Sequence, residues 1–382
     1  MQKNVLLVRS ALLAVLGATS LLMLGCGLSN GGSKNSGATT NTYMYVAEGE
    51  ADAYVAQLQV GNDGTLSSLS PATVGGPGFP GTNFVTVDPS GQYLFTGNAL
   101  LGGTTAVGQY VIGSDGTLAP NAIPAVNVTG WNQLTFTPNG KFTFVPDFQD
   151  GVIDSYSLSA SGSLAQVNQL SVDSIPANVQ PTAIDPSGRF LYFFECTCTN
   201  SSSYSLMEYG ISADGALTPL SPNYVVAPGY TYSLTVGPNG FLYFPDIDHG
   251  TVTVFQIDES AGQLANAGSF ATGTGPGSAP LSIAFNPSGT YAYVVNTVDN
   301  SVTQFTVNPS TGALSMNGPD VPTGRGPAWV VVDPSGSFVF VTNSLDGTIS
   351  QFAISSSGRL TPNGTFSLEG QTAPVAMTFA QR

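Results

Sequence analysis

Short apolar runs punctuated by turn residues fill the chain from Tyr43 onward. The run Phe84 to Val87 leads into Pro89-Ser90-Gly91, and a second run opens at Tyr93 as Tyr-Leu-Phe-Thr. A third, Val107 to Ile112, alternates large apolar with small or polar residues, and a looser segment follows Gly116-Thr117-Leu118. Runs of this length, rich in aromatic and β-branched residues, predict strands packed on their faces. The pattern then repeats. Pro-Ser/Asn-Gly recurs at Pro89, Pro138, Pro186, Pro238, Pro287 and Pro334, at spacings of 49, 48, 52, 49 and 47 residues. Gly-x-Leu recurs at Gly64, Gly116, Gly162, Gly215, Gly262, Gly312 and Gly358.

A period of about 48 residues marks a repeat architecture, and four short strands per repeat read as one blade of a β-propeller. Three places before each proline of the first signal stand Thr86, Thr135, Ala183, Thr235, Ala284 and Val331, small side chains suited to crowding near an axis. Six signals of one kind against seven of the other resolve at the chain's ends. Tyr43 begins a second strand and Val375-Ala376-Met377-Thr378-Phe379 forms a first strand, so together they complete a seventh blade. The expected fold is all-β: a seven-bladed propeller of four-stranded antiparallel blades over 42–382, closed by its carboxy-terminal strand. Closure of this kind leaves no inner edge open to aggregation.

Composition adds limits. With 46 Gly, 26 Pro and only 8% charged residues, the 382-residue chain suits many short strands and tight turns. The formal net charge is −15. Nucleic acid is therefore not an expected partner, since phosphate binding needs a basic face.

The first 25 residues stand apart. Lys3 and Arg9 precede an apolar run from Ala11 to Leu24, which ends at Gly25-Cys26. This segment resembles a bacterial lipoprotein signal, which implies acylation of Cys26 and anchorage to a membrane outside the cytoplasm, with 26–41 as a Gly/Ser/Asn-rich tether. An ordinary secretory signal is the alternative. Without Lys3 and Arg9, six cationic side chains face 23 acidic ones.

The stretches Tyr291 to Phe305 (YAYVVNTVDNSVTQF) and Phe338 to Phe352 (FVFVTNSLDGTISQF) resemble the YVTN-type repeats of lactonase-like seven-bladed propellers. That family includes bacterial 6-phosphogluconolactonase and the fungal carboxymuconate cyclase, and Pro138 to Ser159 resembles its third-blade motif. The resemblance implies the fold directly. It implies activity only where a His/Arg/Glu constellation stands at the mouth of the central channel, and that set is missing here. Its places fall on Ala279-Pro280-Leu281-Ser282, on Asn296-Thr297 and on Trp131-Asn132-Gln133, and neither Asn nor Gln exchanges protons near neutral pH.

Other candidates are individually weak. His249 is the chain's one histidine and aligns with the turn slot of Asp346, with Gly250 matching Gly347. It reads either as a turn residue tolerating positive φ or as a general base. Ten carboxylates lie in the loops between second and third strands, and Glu195, Asp246 and Asp248 among them could offer hard oxygen ligands to calcium. No cofactor is required by any motif. Arg325 could hold a carboxylate or rest on the surface, and Trp131, Tyr232 and Trp329 could stack on a ligand ring or plug the channel. Gln133 and Ser282 complete this ligand-binding set. Cys196 and Cys198 could form a small disulfide outside the cytoplasm. The expectation is a membrane-tethered monomer presenting its rim to a protein, glycan or small ligand without catalysis. The alternative is a divergent lactone hydrolase at the channel mouth.

Overall fold

The computed structural model describes residues 40–49, 54–75, 82–123, 126–131, 134–147, 151–172, 181–197, 203–368 and 373–382, with only the backbone at 98–105, 129–131, 196–197 and 203. Every regular element among them is a strand. Seven antiparallel sheets stand side by side around a ring, as the repeat count predicts.

Blade 1 is built from both ends of the chain, in the order Pro374–Gln381, Thr42–Glu48, Tyr54–Val60 and Leu66–Gly75 from the axis outward. Thr42 pairs with Gln381 and the register runs without a break to Ala47 with Ala376. Blade 3 runs Thr135–Phe136, Phe142–Asp147, Val152–Leu158, Leu164–Ser171, and blade 4 runs Thr182–Ile184, Phe190–Thr197, Ser203–Ile211, Leu217–Val226. Blade 5 follows as Thr235–Val236, Phe241–Asp246, Thr251–Ile257 and Leu264–Ala271. Blade 6 is Pro280–Phe285, Tyr291–Asn296, Ser301–Val307 and an outer strand split into Leu314–Met316 and Val321–Pro322. Blade 7 is Pro327–Val332, Phe338–Asn343, Thr348–Ile354 and Leu360–Ser367.

Blade 2 departs from the expected four separate strands. Its second and third strands form one element, Tyr93–Ile112. The first part pairs with the inner strand Thr82–Val87, and the later part pairs with Val126–Trp131 and Leu118–Pro120. Where Asp150-Gly151, His249-Gly250 and Asp346-Gly347 part these strands in blades 3, 5 and 7, blade 2 carries Gly102-Gly103.

The Gly-x-Leu signal has a packing cause. A Cβ on Gly116 would lie 2.2 Å from the ring of Tyr43, and one on Gly64 would lie 2.3 Å from the ring of Phe338. Both glycines also sit at φ +79°, where L side chains are strained. Each such glycine lies against the aromatic residue that opens the second strand of the preceding blade, and the Gly64–Phe338 contact joins blade 1 to blade 7. Tyrosines reinforce the seam: Tyr45 donates to the carbonyl of Gly116 at 2.7 Å, and Tyr293 to that of Gly358 at 2.8 Å. Carboxamides do the same from the third strands, where Gln57 Oε1 accepts the Leu118 N–H and Gln304 Oε1 accepts that of Leu360. Asn363 Nδ2 donates to the carbonyl of Asp63 at 2.8 Å, a further tie across the closing seam.

Thr86, Thr135, Ala183, Thr235, Ala284 and Val331 are all buried, and so is Thr378, their equivalent in blade 1. The loops thus separate into two faces. Turns after first and third strands lie on the lower face. Loops after second strands, and those leading into the next inner strand, share the upper face.

Candidate functional site

Each second strand ends on the upper face at an equivalent polar position. Asp246 fills it in blade 5, Asn296 in blade 6 and Asn343 in blade 7, all three buried. In blades 6 and 7 the side-chain amide donates to the following strand. Asn296 Nδ2 reaches Thr303 Oγ1 at 2.9 Å, and Asn343 Nδ2 reaches Thr348 Oγ1 and Ser350 Oγ at 2.9 Å each. Asp246 has no proton to give and is turned to its own loop. Its Oδ1 accepts the N–H groups of Asp248 at 3.0 Å and His249 at 3.2 Å, and its Oδ2 lies 2.8 Å from His249 Nδ1.

The result is an Asp–His dyad with its two members on opposite sides of the surface. The Asp246 side chain is 1% exposed and that of His249 is 61% exposed. Burial raises the pKa of Asp246 above the ordinary carboxyl value, and the bond from the His249 ring and the His249 charge oppose that rise. An acceptor on Nδ1 fixes the tautomer with hydrogen there, so Nε2 carries the lone pair. The loops around it are tightly placed. A Cβ on Gly229 would lie 2.2 Å from Asp246 Oδ1, and one on Gly250 would lie 2.0 Å from the carbonyl oxygen of Gly275. The Tyr230 N–H donates to Asp248 Oδ2 at 3.2 Å, and the Ile247 N–H to the Tyr230 carbonyl at 2.9 Å. Positive φ in this turn falls on Gly250, at 64°, and His249 is not among the positive-φ residues. His249 thus lies in the turn, but not at the position that needs positive φ.

The remaining candidates scatter. Arg325 is 73% exposed and tied to Asp346, with its N–H donating to Oδ2 at 2.6 Å and its Nε to Oδ1 at 2.7 Å. Asp346 is held below the usual carboxylate range by the Arg325 backbone and side-chain hydrogen bonds. Trp329 is 4% exposed and lines a cavity of about 20 Å³ with Thr235, Ala284 and Val331, side chains of three neighbouring inner strands. It is packed between neighbouring inner strands. Ser282 is buried, and its Oγ accepts the Val330 N–H at 3.0 Å, joining blades 6 and 7. Tyr232 is buried against Tyr230 in an edge-on pair with centroids 5.0 Å apart.

The calcium set is not drawn together. Among the described residues no three His, Cys, Asp or Glu side chains form a metal-holding group. Both oxygens of Asp246 already accept hydrogen bonds within its own turn, and Glu195 lies half-buried along Phe190–Thr197 in blade 4. Cys26, Gln133 and Cys198 lie outside the described residues, as do the side chains of Trp131 and Cys196. In the sequence, Asp246 stands as a possible calcium ligand and His249 as either a turn residue or a general base. Their Asp-x-x-His spacing across a turn was the signal that joins them.

Residues 231–381 match the family model for the lactonase seven-bladed β-propeller. The fold is a seven-bladed propeller, and this part of the chain resembles the lactonase propellers. The 6-phosphogluconolactonase of Pectobacterium carotovorum is 29% identical over 177 residues, covering 44% of this chain and 51% of that protein. The 6-phosphogluconolactonase of Yersinia enterocolitica is 27% identical over 203 residues, covering 52% of this chain and 56% of its own length. The chain thus spans about half the length of the curated relatives it matches. Among solved structures, the Pseudomonas aeruginosa periplasmic gluconolactonase superposes with a TM-score of 0.71 at 19% identity, over 90% of this chain and 99% of that one. A putative 6-phosphogluconolactonase of Bacteroides fragilis gives 0.72 at 20% identity, over 91% and 100%. At these identities the structural likeness carries the fold alone.

Proposed function

We propose that this chain is a lactone hydrolase acting on the upper face of the ring, with His249 as general base and Asp246 as its positioning carboxylate. The observation that carries the reading is the 2.8 Å contact between a buried carboxylate and the Nδ1 of an exposed imidazole. The relatives named as lactonases support it and give no support to the non-catalytic expectation.

In this reading His249 Nε2 takes a proton from water as the water oxygen attacks the lactone carbonyl carbon. Asp246 holds the ring and stabilises the imidazolium that forms, as the carboxylate does in other Asp–His pairs. The tetrahedral intermediate collapses with cleavage of the ring C–O bond, the imidazolium returns its proton to the departing alkoxide, and the hydroxy acid leaves as its carboxylate, its acid proton passing to solvent. One water is consumed per bond broken. The absent His/Arg/Glu set of the family is replaced, not restored, since His249 sits in a different loop.

A pH-indicator assay on a panel of lactones tests the reading. Turnover by the purified protein, lost in His249→Ala with folding unchanged, is the expected result, and equal turnover by the variant defeats it. The proposal retains lipidation of Cys26 and a place in the cell envelope. Incorporation of labelled fatty acid, absent in Cys26→Ala, checks that part.

A further inference from the structure

The charge on the two faces of the ring is unequally shared. Residues 40–382 hold five of the chain's eight lysines and arginines. Four belong to the lower face. Lys141 Nζ donates to the carbonyl of Ala213 at 2.6 Å, and Arg189 Nη2 to that of Glu259. Arg359 donates its N–H to Ser355 Oγ at 3.0 Å in the turn after a third strand, and Arg382 Nη2 reaches the carbonyl of Ile112 at 2.8 Å. The upper face holds Arg325, whose Nε is engaged by Asp346. The segments 50–53, 76–81, 124–125, 132–133, 148–150, 173–180, 198–202 and 369–372 contain no Lys, Arg or His. Whatever path those segments take, they bring no cation to the face.

Around the imidazole the charge is negative. Asp246 stands behind it and Asp248 precedes it in the same turn. Among the described residues, a phosphate monoester approaching His249 would meet carboxylates, and the cation of that face, Arg325, is paired with Asp346 in the next blade but one, while an uncharged lactone would meet no such barrier. From this distribution we infer that the substrate class is an uncharged lactone and that phosphorylated lactones are excluded electrostatically. The inference rests on the hydrolase reading above, whose relatives are named for a phosphorylated substrate. The same field acts on the product. Ring opening creates a carboxylate beside Asp248, so a neutral substrate becomes an anion that the face repels, which favours release over rebinding.

The experiment compares kcat/KM for glucono-δ-lactone and its 6-phosphate, at low salt and at roughly 0.5 M salt, where fields between exposed charges are screened. The expected preference for the neutral lactone is about tenfold or more at low salt, shrinking as salt rises. Preference for the phosphorylated lactone, or a ratio that ignores salt, overturns the inference and leaves the hydrolase reading standing. Absence of turnover with either defeats the hydrolase reading, and thermal shift with the unreactive gluconolactam and its 6-phosphate then decides the inference. A Tm raised by the neutral lactam and not by its phosphate supports it. A shift with the phosphate, or with neither, overturns it.

Discussion

Blades 5 and 7 place the same turn at the same point of the ring and use it in opposite ways. In blade 7, Asn343 ends the second strand and its amide donates to Thr348 and Ser350, holding strand to strand. In blade 5, Asp246 stands in that position and accepts from its own loop, while Thr253, the equivalent of Ser350, bonds to Ser269 Oγ at 2.7 Å. One atom changes, an amide nitrogen to a carboxylate oxygen. A donor fastens the scaffold, whereas an acceptor at the same place fastens an imidazole. The repeat therefore offers a rigid mounting that two changes, at the strand end and at the turn tip, convert from structure to chemistry, and the backbone turn is kept in both, with Gly250 at φ 64° and Gly347 at φ 65°.

Asp246→Asn converts blade 5 to the blade 7 pattern and is expected to have the largest effect. Its Oδ1 can still accept the two loop N–H groups, and its new amide can reach toward Thr253. The imidazole loses its acceptor and the tautomer that goes with it. Lactone turnover should fall roughly 10²- to 10⁴-fold while the thermal midpoint holds or rises. Loss of both together would mean that Asp246 is structural and would break the comparison.

The reciprocal change, Asn343→Asp, asks whether the position alone makes a site. It places a carboxylate at a wholly buried point with no imidazole to share it, because Asp346 fills the slot of His249. Two hydrogen bonds to hydroxyls are put at risk and a charge is desolvated, for a cost of roughly 3 kcal/mol in chemical denaturation. Burial raises the folded-state pKa of such a group. Stability should therefore recover as pH falls toward the carboxyl range, where the folded state takes up the proton more readily than the unfolded chain. Unchanged stability at neutral pH would show that the slot tolerates a carboxylate without a partner.

How much of this was legible beforehand follows the same division. The blades were legible because Gly-x-Leu and Pro-x-Gly each answer to backbone geometry or close contact that no other residue satisfies, as at Gly64 on Phe338. Ring closure was legible because a strand pattern without its first member must find it elsewhere, and Pro374–Gln381 supplies it. The join of second and third strands in blade 2 was not, since an element of 20 residues, Tyr93–Ile112, contains two apolar runs that read as separate strands. The site was legible only in pieces. His249 and Asp246 were both singled out, but a hydrogen bond between side chains three residues apart depends on the turn conformation, which letters alone do not give. Trp329 and Ser282 read as ligand groups because their neighbours on adjacent inner strands are distant in sequence.

A second slot repeats the contrast between carboxylate and amide in the third strands. Gln57 accepts from Leu118 with its oxygen and donates Nε2 to the carbonyl of Pro71 at 3.0 Å. Glu208 stands in that slot in blade 4, accepts from Leu264 at 2.9 Å, and leaves Oε2 buried without a partner. Burial raises its pKa above the ordinary carboxyl value, and the Leu264 bond opposes that rise. A carboxyl raised on folding holds its proton more tightly in the folded state, so its drag on stability is absent below the unfolded value and grows as pH climbs through the folded one. Glu208→Gln removes the drag and presents a donor toward the carbonyl of Pro222, the equivalent of Pro71. A gain of about 1 kcal/mol at neutral pH is expected, disappearing toward about pH 4. A variant less stable than the parent at every pH would show that this carboxylate has a partner of its own.

The smallest effect is expected where the comparison returns to the tip of the turn. His249 and Asp346 occupy one slot, and each is held by an opposite partner. The partner of His249 lies buried within its own turn, whereas that of Asp346 is Arg325, 73% exposed on the loop leading into the same blade. An exposed pair forms in high dielectric and orders a long side chain, so it contributes between zero and about 1 kcal/mol. Arg325→Ala should therefore lower stability by no more than that in denaturant titration, with the difference fading as salt rises, and should leave turnover of an uncharged lactone unchanged. A large loss of turnover with a small loss of stability would instead place Arg325 on the substrate, and would move the working centre of the face from blade 5 to blade 7.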